Sequence, residues 1–250
     1  MTGRPPLRVG RISYLNVEPF FHPFPWPLAD ALPPRALGEA VAAGRLDAGP
    51  LPLADVIRLD SAVEALPFGI ATRERARSVF LFADRPMAAL GGARIAVTGE
   101  TATSVRLLRI LLAFRDDVSP PRLVGLGEPA DAVLLIGDTA LHALHGAWPH
   151  PQCYDLGEEW TRWTGLPCVF AAWAVRRAAG GRARAALADA LEAALTAGLA
   201  GLPAIARTRR DLGLPDDVVV DYLRGFTYRL GPDEEKAMAE FRRLLALLPA

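Results

Sequence analysis

The feature that most constrains this chain is a set of short, almost wholly apolar segments alternating with longer amphipathic ones. LRVGRIS (7–13), DAGPLP (47–52), SVFLFAD (78–84), ARIAV (93–97) and DAVLLIGD (131–138) carry few polar residues on either face. A half-exposed strand alternates apolar and polar residues, whereas a strand covered on both faces does not. Between these segments lie helical patterns such as PPRALGEAVAAGRL (33–46), opened by prolines, and TSVRLLRILLAF (103–114). The alternation predicts an α/β fold built on a parallel-type sheet with helices on both faces.

A change of pattern follows residue 165. GLPCVFAAWAVRR (165–177) reads as one more apolar strand, and beyond it RARAALADALEAALTAGLAGL, LPDDVVVDYLRGF and DEEKAMAEFRRLLALL all show helical apolar spacing. The predicted organisation is a first lobe of residues 1–84, an inserted lobe of residues 85–170, and a return through residues 171–250 whose helices pack on the first lobe. Ligands of such sheets bind at the carboxyl ends of strands, here in the crevice expected between lobes.

Charge narrows the partners. The 250 residues include 28 basic and 28 acidic ones, with no long basic run. This argues against nucleic acid or an anionic membrane and for a small molecule. Apolar stretches are interrupted by acidic residues before reaching a bilayer's width, and MTGRPPLRVGRISYLN contains no apolar leader, so a cytoplasmic location is expected. Cys153 and Cys168 lack metal or redox spacing and read as reduced structural thiols. His142, His145 and His150 sit in a segment broken by Gly146 and Pro149, and no metal is expected. Trp160, Trp163 and Trp173 read as packing residues.

Polar residues gather where strands end. Ser13, Tyr14 and Asn16 follow the first strand, and either cap the next helix or face a ligand. TGETATSV (98–105) follows ARIAV and opens a helix near Ser104. Thr101, Thr103 and Ser104 there are either an ordinary cap or, with free helix N–H groups, an anion seat. IGDTAL (136–141) repeats the arrangement, with Gly137 allowing close backbone approach and Asp138 placed to cap. Ser78 begins SVFLF without a GxSxG or SxxK partner, so a covalent serine mechanism is not expected. GxxxxGK[ST] and GxGxxG are both absent, and no nucleotide cofactor is implied.

Taken together, RISYLNVEPF, LDAGPLPLADVIRL, SVFLFADRP, TGETATSVRLL, LLIGDTAL, YDLGEEWTRWTGLPCVFAAWAVRR and DYLRGFTYRLG resemble, in order and over nearly the whole chain, the chorismate dehydratases of the futalosine route to menaquinone. The resemblance implies a two-lobe, type II periplasmic-binding-protein-like fold with a ligand cleft between lobes, and a hydro-lyase acting on chorismate without a cofactor. It implies that Asn16 and Ser78 are the catalytic pair, with Ser13, Tyr14, Thr101, Thr103, Ser104, Gly137 and Asp138 binding substrate and Arg11 and Arg77 as further counter-charges. Pro50 and Pro52 depart from the polar pattern expected of that pocket wall. The related 1,4-dihydroxy-6-naphthoate synthases open on a Ser-Pro-Cys-Pro-Asn type stretch that this chain lacks, and a non-catalytic anion-binding protein is the other alternative. The sequence leaves the oligomeric state open.

Overall fold

The computed structural model describes residues 7–144 and 150–249. In chain order the first elements are β1 (Val9–Arg11), α1 (Glu18–Phe21), β2 (Leu28–Ala31), α2 (Pro34–Ala42), β3 (Ala48–Pro52), α3 (Leu53–Arg58) and β4 (Val63–Thr72). Then come β5 (Val79–Ala83), β6 (Arg94–Val97), α4 (Thr103–Ile110), β7 (Arg122–Gly125), β8 (Ala132–Ile136), α5 (Gly137–Leu144), β9 (Gln152–Asp155) and α6 (Leu156–Thr164). The chain ends with β10 (Cys168–Arg176), α7 (Gly181–Ala200), α8 (Leu202–Thr208), α9 (Asp216–Arg224), β11 (Thr227–Arg229) and α10 (Pro232–Leu247).

These elements form two compact units. One is Ala171–Leu230 with the described residues up to Ile70; the other is Ala71–Phe170 with the described residues from Gly231 onward. The division therefore falls inside β4 rather than at residue 84, because the start of the segment after β4 is bonded into the second unit. In the first unit the strand order is β11-β4-β10-β3-β1-β2, and in the second it is β7-β6-β8-β5-β9. Both sheets are mixed, which corrects the parallel expectation. β1 runs parallel to β2 and β3, but β10 is antiparallel to β3, with Ala171 opposite Pro52 and Val175 opposite Ala48. β6 runs parallel to β7 and β8, whereas β5 is antiparallel to β8 and β9. All five residues of β5 are buried. Burial on both faces removes the polar alternation whichever way the neighbouring strands run.

Each unit has its own core. In the first, Phe20 of α1 meets Phe68, Trp173 and Tyr228 edge-on at centroid distances of 6.3, 5.6 and 5.7 Å. A Cβ at Gly198 of α7 would lie 2.0 Å from the Pro19 carbonyl oxygen, so only glycine lets α7 approach α1 this closely. In the second, Phe80, Phe82, Leu135, Ala140 and Ala143 form one cluster under α5. Trp160 donates its indole N–H to the Pro167 carbonyl at 3.0 Å and lies 6.0 Å from the Phe241 ring of α10. Arg73 pairs with Asp233 at 3.0 Å, and Arg109 donates to the Pro249 carbonyl at 2.7 Å. These contacts hold α10 in the second unit, where the sequence reading had returned it to the first. Trp160 and Trp173 are packing residues, as expected, at 1% and 0% exposure. No single described helix is long and apolar enough to cross a membrane.

In the first unit, Asp47 fastens the start of β1 to the start of β3. Its carboxylate accepts from the Arg8 backbone N–H at 2.9 Å and from Arg8 Nη2 at 2.8 Å, and its carbonyl accepts from Arg176 N–H at 2.8 Å. The hydrogen bonds from Arg8 hold the Asp47 carboxyl below the usual carboxylate range. A depressed carboxyl contributes stability at pH values above its unfolded pKa and loses it as pH falls through the folded one. Asp47→Asn is expected to cost about 1 kcal/mol at pH 7, a fall in melting temperature of roughly 2–4 °C. The gap from wild type should close as the pH is lowered below about 4 in melting scans; a gap independent of pH would contradict this role.

Candidate active site

In the second unit the sheet register collects most of the candidate residues at one edge. β6 and β8 run parallel, with Val97 opposite Leu134, so the segments leaving their carboxyl ends emerge side by side. One leads into α4 with Thr101, Thr103 and Ser104; the other is Gly137 and Asp138 at the start of α5. β5 is antiparallel to β8 with Val79 opposite Ile136, which brings Ser78 to the same edge. The Gly137 N–H donates to the Ser78 carbonyl at 2.8 Å. Gly137 has φ 60°, a conformation that favours glycine.

The start of α4 bears on the two readings left open for its hydroxyls. Thr101, Thr103 and Ser104 are buried, at 8%, 4% and 6% exposure. Ala102 occupies the cap position and no side chain caps the helix. The Thr98 and Thr101 hydroxyl oxygens are buried without a hydrogen-bond partner among the described residues. Buried hydroxyls are ordinarily paired, and a helix start is ordinarily capped. An uncapped start flanked by unpaired hydroxyls suits an anion better than it suits a closed helix terminus. Asp138, half-buried, is the second residue of α5 and lies in its first turn rather than before it.

Ser78 is 1% exposed, and its hydroxyl lies 3.4 Å from the Ala76 carbonyl oxygen. The turn before it is held by Asp155, which sequence reasoning passed over. Asp155 Oδ1 accepts from the N–H groups of Ala76 at 3.0 Å, Gly157 at 2.9 Å and Glu158 at 3.2 Å, while Oδ2 accepts from Arg77 at 2.7 Å. One carboxylate thus caps α6 and clamps the turn that leads into β5. Burial pushes the Asp155 carboxyl up, while the four N–H donors pull it down. The available signal was Asp155-Leu-Gly-Glu158, an acidic cap followed three residues later by Glu. Burial and the charge of Asp155 push the Cys168 thiol well up, which leaves it unreactive.

In the first unit, Leu15 and Val17 are buried on either side of Asn16, in a single turn that feeds α1. Their anchoring places the half-buried Asn16 on the other side of the chain, where its carboxamide has no hydrogen-bond partner among the described residues. Ser13 is exposed and Tyr14 half-buried. The Ser13 carbonyl accepts from Arg209 Nη1 at 3.2 Å, and Arg209 also lies 3.5 Å from buried Glu18. Arg11 is not a free counter-charge. Its guanidinium donates to Glu18 at 2.8 Å and lies 5.5 Å from the Phe21 ring centroid. Pro50 and Pro52 are buried within β3, Pro50 opposite Trp173 of β10. Of the histidines weighed for a metal, His145 lies outside the described residues and His150 pairs with Asp84 at 2.7 Å. No group of three or more potential metal ligands occurs among the described residues.

The architecture is that of the periplasmic-binding-protein-like class. AF1704 from Archaeoglobus fulgidus matches with TM-score 0.77 at 16% identity, over 96% of this chain and 97% of that one. The aliphatic sulphonate binding protein SsuA from Escherichia coli matches with TM-score 0.63 at 18% identity, over 98% and 94%. The Candida albicans CA3427 product, described as having the generic periplasmic binding protein fold, matches with TM-score 0.62 at 11% identity, over 99% and 92%. More specifically, a family model described as menaquinone biosynthesis matches residues 7–247, and the chain belongs to that family. A chorismate dehydratase from Thermus thermophilus is 34% identical over 201 residues, 72% of each chain.

If the Thr101 hydroxyl is held for a ligand, the fold does not need it. Thr101→Val keeps the shape and removes a buried, unpaired hydroxyl, so the melting temperature of the ligand-free protein is expected to stay level or rise. A fall of 2 °C or more, roughly one lost hydrogen bond, would mean that the hydroxyl is bonded within the fold.

Proposed function

We propose that this protein dehydrates chorismate to 3-[(1-carboxyvinyl)oxy]benzoate and water, a step of menaquinone biosynthesis by the futalosine route. The observation that carries the reading is the relationship to the Thermus chorismate dehydratase, which spans most of both chains. The second unit's polar edge supports it, since an uncapped helix start with buried hydroxyls suits one carboxylate of a dianion. The free thiols Cys153 and Cys168 fit a reducing, cytoplasmic setting.

In this reaction the ring hydrogen on the ether-bearing carbon leaves as a proton, and its electron pair forms the new ring double bond as the neighbouring carbon releases its hydroxyl. The proton and hydroxyl depart together as water. Aromaticity supplies the driving force, so the protein's task is to hold the dianion in the pose that leads to elimination. Neither Asn16 nor Ser78 is a base, and both oxygens of Asp155 are already occupied by N–H donors. In this reading the substrate's own side-chain carboxylate takes the ring proton and passes it to the departing hydroxyl, which leaves as water. Asn16 offers an amide donor and acceptor, Ser78 a hydroxyl, and Asp138 an acceptor for the substrate's hydroxyl. Thr101, Thr103, Ser104 and Gly137, with Ser13 and Tyr14, line the binding surfaces.

Mixing the protein with chorismate and following ultraviolet absorbance is expected to show conversion of the diene to a benzoate. Asn16→Ala and Ser78→Ala should each lower kcat about 10²-fold, while KM changes only a few-fold. Full kcat in both variants would remove these residues from the mechanism, and absence of any absorbance change at saturating chorismate would overturn the activity.

A further inference from the structure

Between Thr72 and Val79 the chain makes a tight turn held by residues of the second unit. At its start the Thr72 hydroxyl donates to the Arg75 carbonyl at 3.1 Å and accepts from the Glu74 N–H at 3.3 Å. At its end Arg77 adopts φ 57°, an uncommon conformation for a residue with a side chain and one that persists only where the surroundings enforce it. The next residue is Ser78. What enforces the conformation is visible: Asp155 accepts from Ala76 N–H at 3.0 Å and Arg77 N–H at 2.7 Å, from a side chain that is 3% exposed. Packing closes the same joint, because a Cβ at Gly157 would lie 3.2 Å from the Ala76 nitrogen and 3.0 Å from Thr72 Cγ2.

We infer that Asp155 is a positioning residue for the dehydration, setting the direction of the Ser78 hydroxyl by holding the Ala76–Arg77 turn in its strained conformation; this rests on the role given to Ser78 above. The two oxygens divide the work. Oδ1 caps α6 and also takes the Ala76 N–H, whereas Oδ2 takes the Arg77 N–H. A carboxylate suits the arrangement because both oxygens are acceptors. An asparagine replaces one of them with a donor, which would face the Arg77 N–H or, flipped, the Ala76, Gly157 and Glu158 N–H groups. The charged and titratable groups around Asp155 are Arg77 on the turn, Glu158 on α6, Arg75, which pairs with Glu158 at 3.3 Å, and the uncharged thiols of Cys153 and Cys168. Among the described residues none of these forms an ion pair with the carboxylate, so backbone N–H groups carry its compensation.

The test is a double-mutant cycle on the full chain with chorismate as substrate. Asp155→Asn is expected to lower kcat roughly 10- to 100-fold with KM within about threefold, because binding groups elsewhere are untouched. In a Ser78→Ala background the same substitution should change kcat less than about twofold, since the hydroxyl it would misplace is already absent. Asp155→Ser is the second variant: serine is a good helix cap, so α6 should still form, but a single short hydroxyl cannot also bridge to Ala76 and Arg77. It should still fold, melting several degrees lower because the Ala76 and Arg77 N–H groups lose their acceptor, and show the same kcat loss and the same non-additivity. Full kcat in either folded variant, or an equal loss with and without Ser78, would overturn the positioning role. Should Ser78→Ala alone retain full kcat, the reading of Ser78 fails, an outcome distinct from failure of the clamp. If both Asp155 variants fail to fold, the carboxylate is needed for the fold itself and the positioning role is likewise overturned.

Discussion

The entry into β5 depends on one buried carboxylate. Asp155 satisfies four backbone N–H groups that come from two directions, two from the turn before β5 and two from the first turn of α6. Those of Ala76 and Gly157 are buried and would otherwise be stranded, and a stranded backbone group costs on the order of 1–3 kcal/mol. Paired to an ion, they form charge-assisted hydrogen bonds, stronger than neutral ones. The same bonds fix the entry of β5, and with it the register that sets Val79 opposite Ile136 and Phe80 opposite Asp155. From that register follow the neighbours of Ser78 and its contact with Gly137.

The sheet then does the remaining assembly. Neighbouring parallel strands β6 and β8 run out toward the same edge of the sheet, so the polar starts of α4 and α5 leave from that edge although they are more than thirty positions apart in the chain. The first unit uses another device for a similar end. Two buried apolar residues, Leu15 and Val17, pin a single turn, and α1 is held by aromatic packing on Phe20 and by the close approach permitted at Gly198. In both units the candidate residues are few and polar, and an apolar scaffold fixes their backbone.

Much of this was legible in the sequence, for reasons that also explain what was not. β3, β5, β6 and β8 announce themselves as apolar runs because both of their faces are covered. β2, β9 and β11 are edge strands with mixed or short sequences, LADA, QCYD and TYR, and carry no such signal. Strand direction was misjudged because apolar runs report burial and not polarity. The placement of α10 depends on Trp160 meeting Phe241, a contact between residues about eighty positions apart that periodicity cannot express. The hydroxyls of α4 stood out as polar residues following a strand, whereas Asn16 and Ser78 were assigned a role only through the family resemblance. Asp155 was missed because an acidic residue before a helix reads as an ordinary cap, and its second set of partners lies nearly eighty residues upstream.

The most direct measurement of the central claim is amide hydrogen exchange at Ala76 and Arg77, resolved by nuclear magnetic resonance. If the Asp155 carboxylate holds both N–H groups inside the unit, they should exchange as slowly as the amides of β5 although they belong to a turn. Exchange at the rate of exposed loop amides would show that no such clamp exists, and the account of how Ser78 is presented would be wrong.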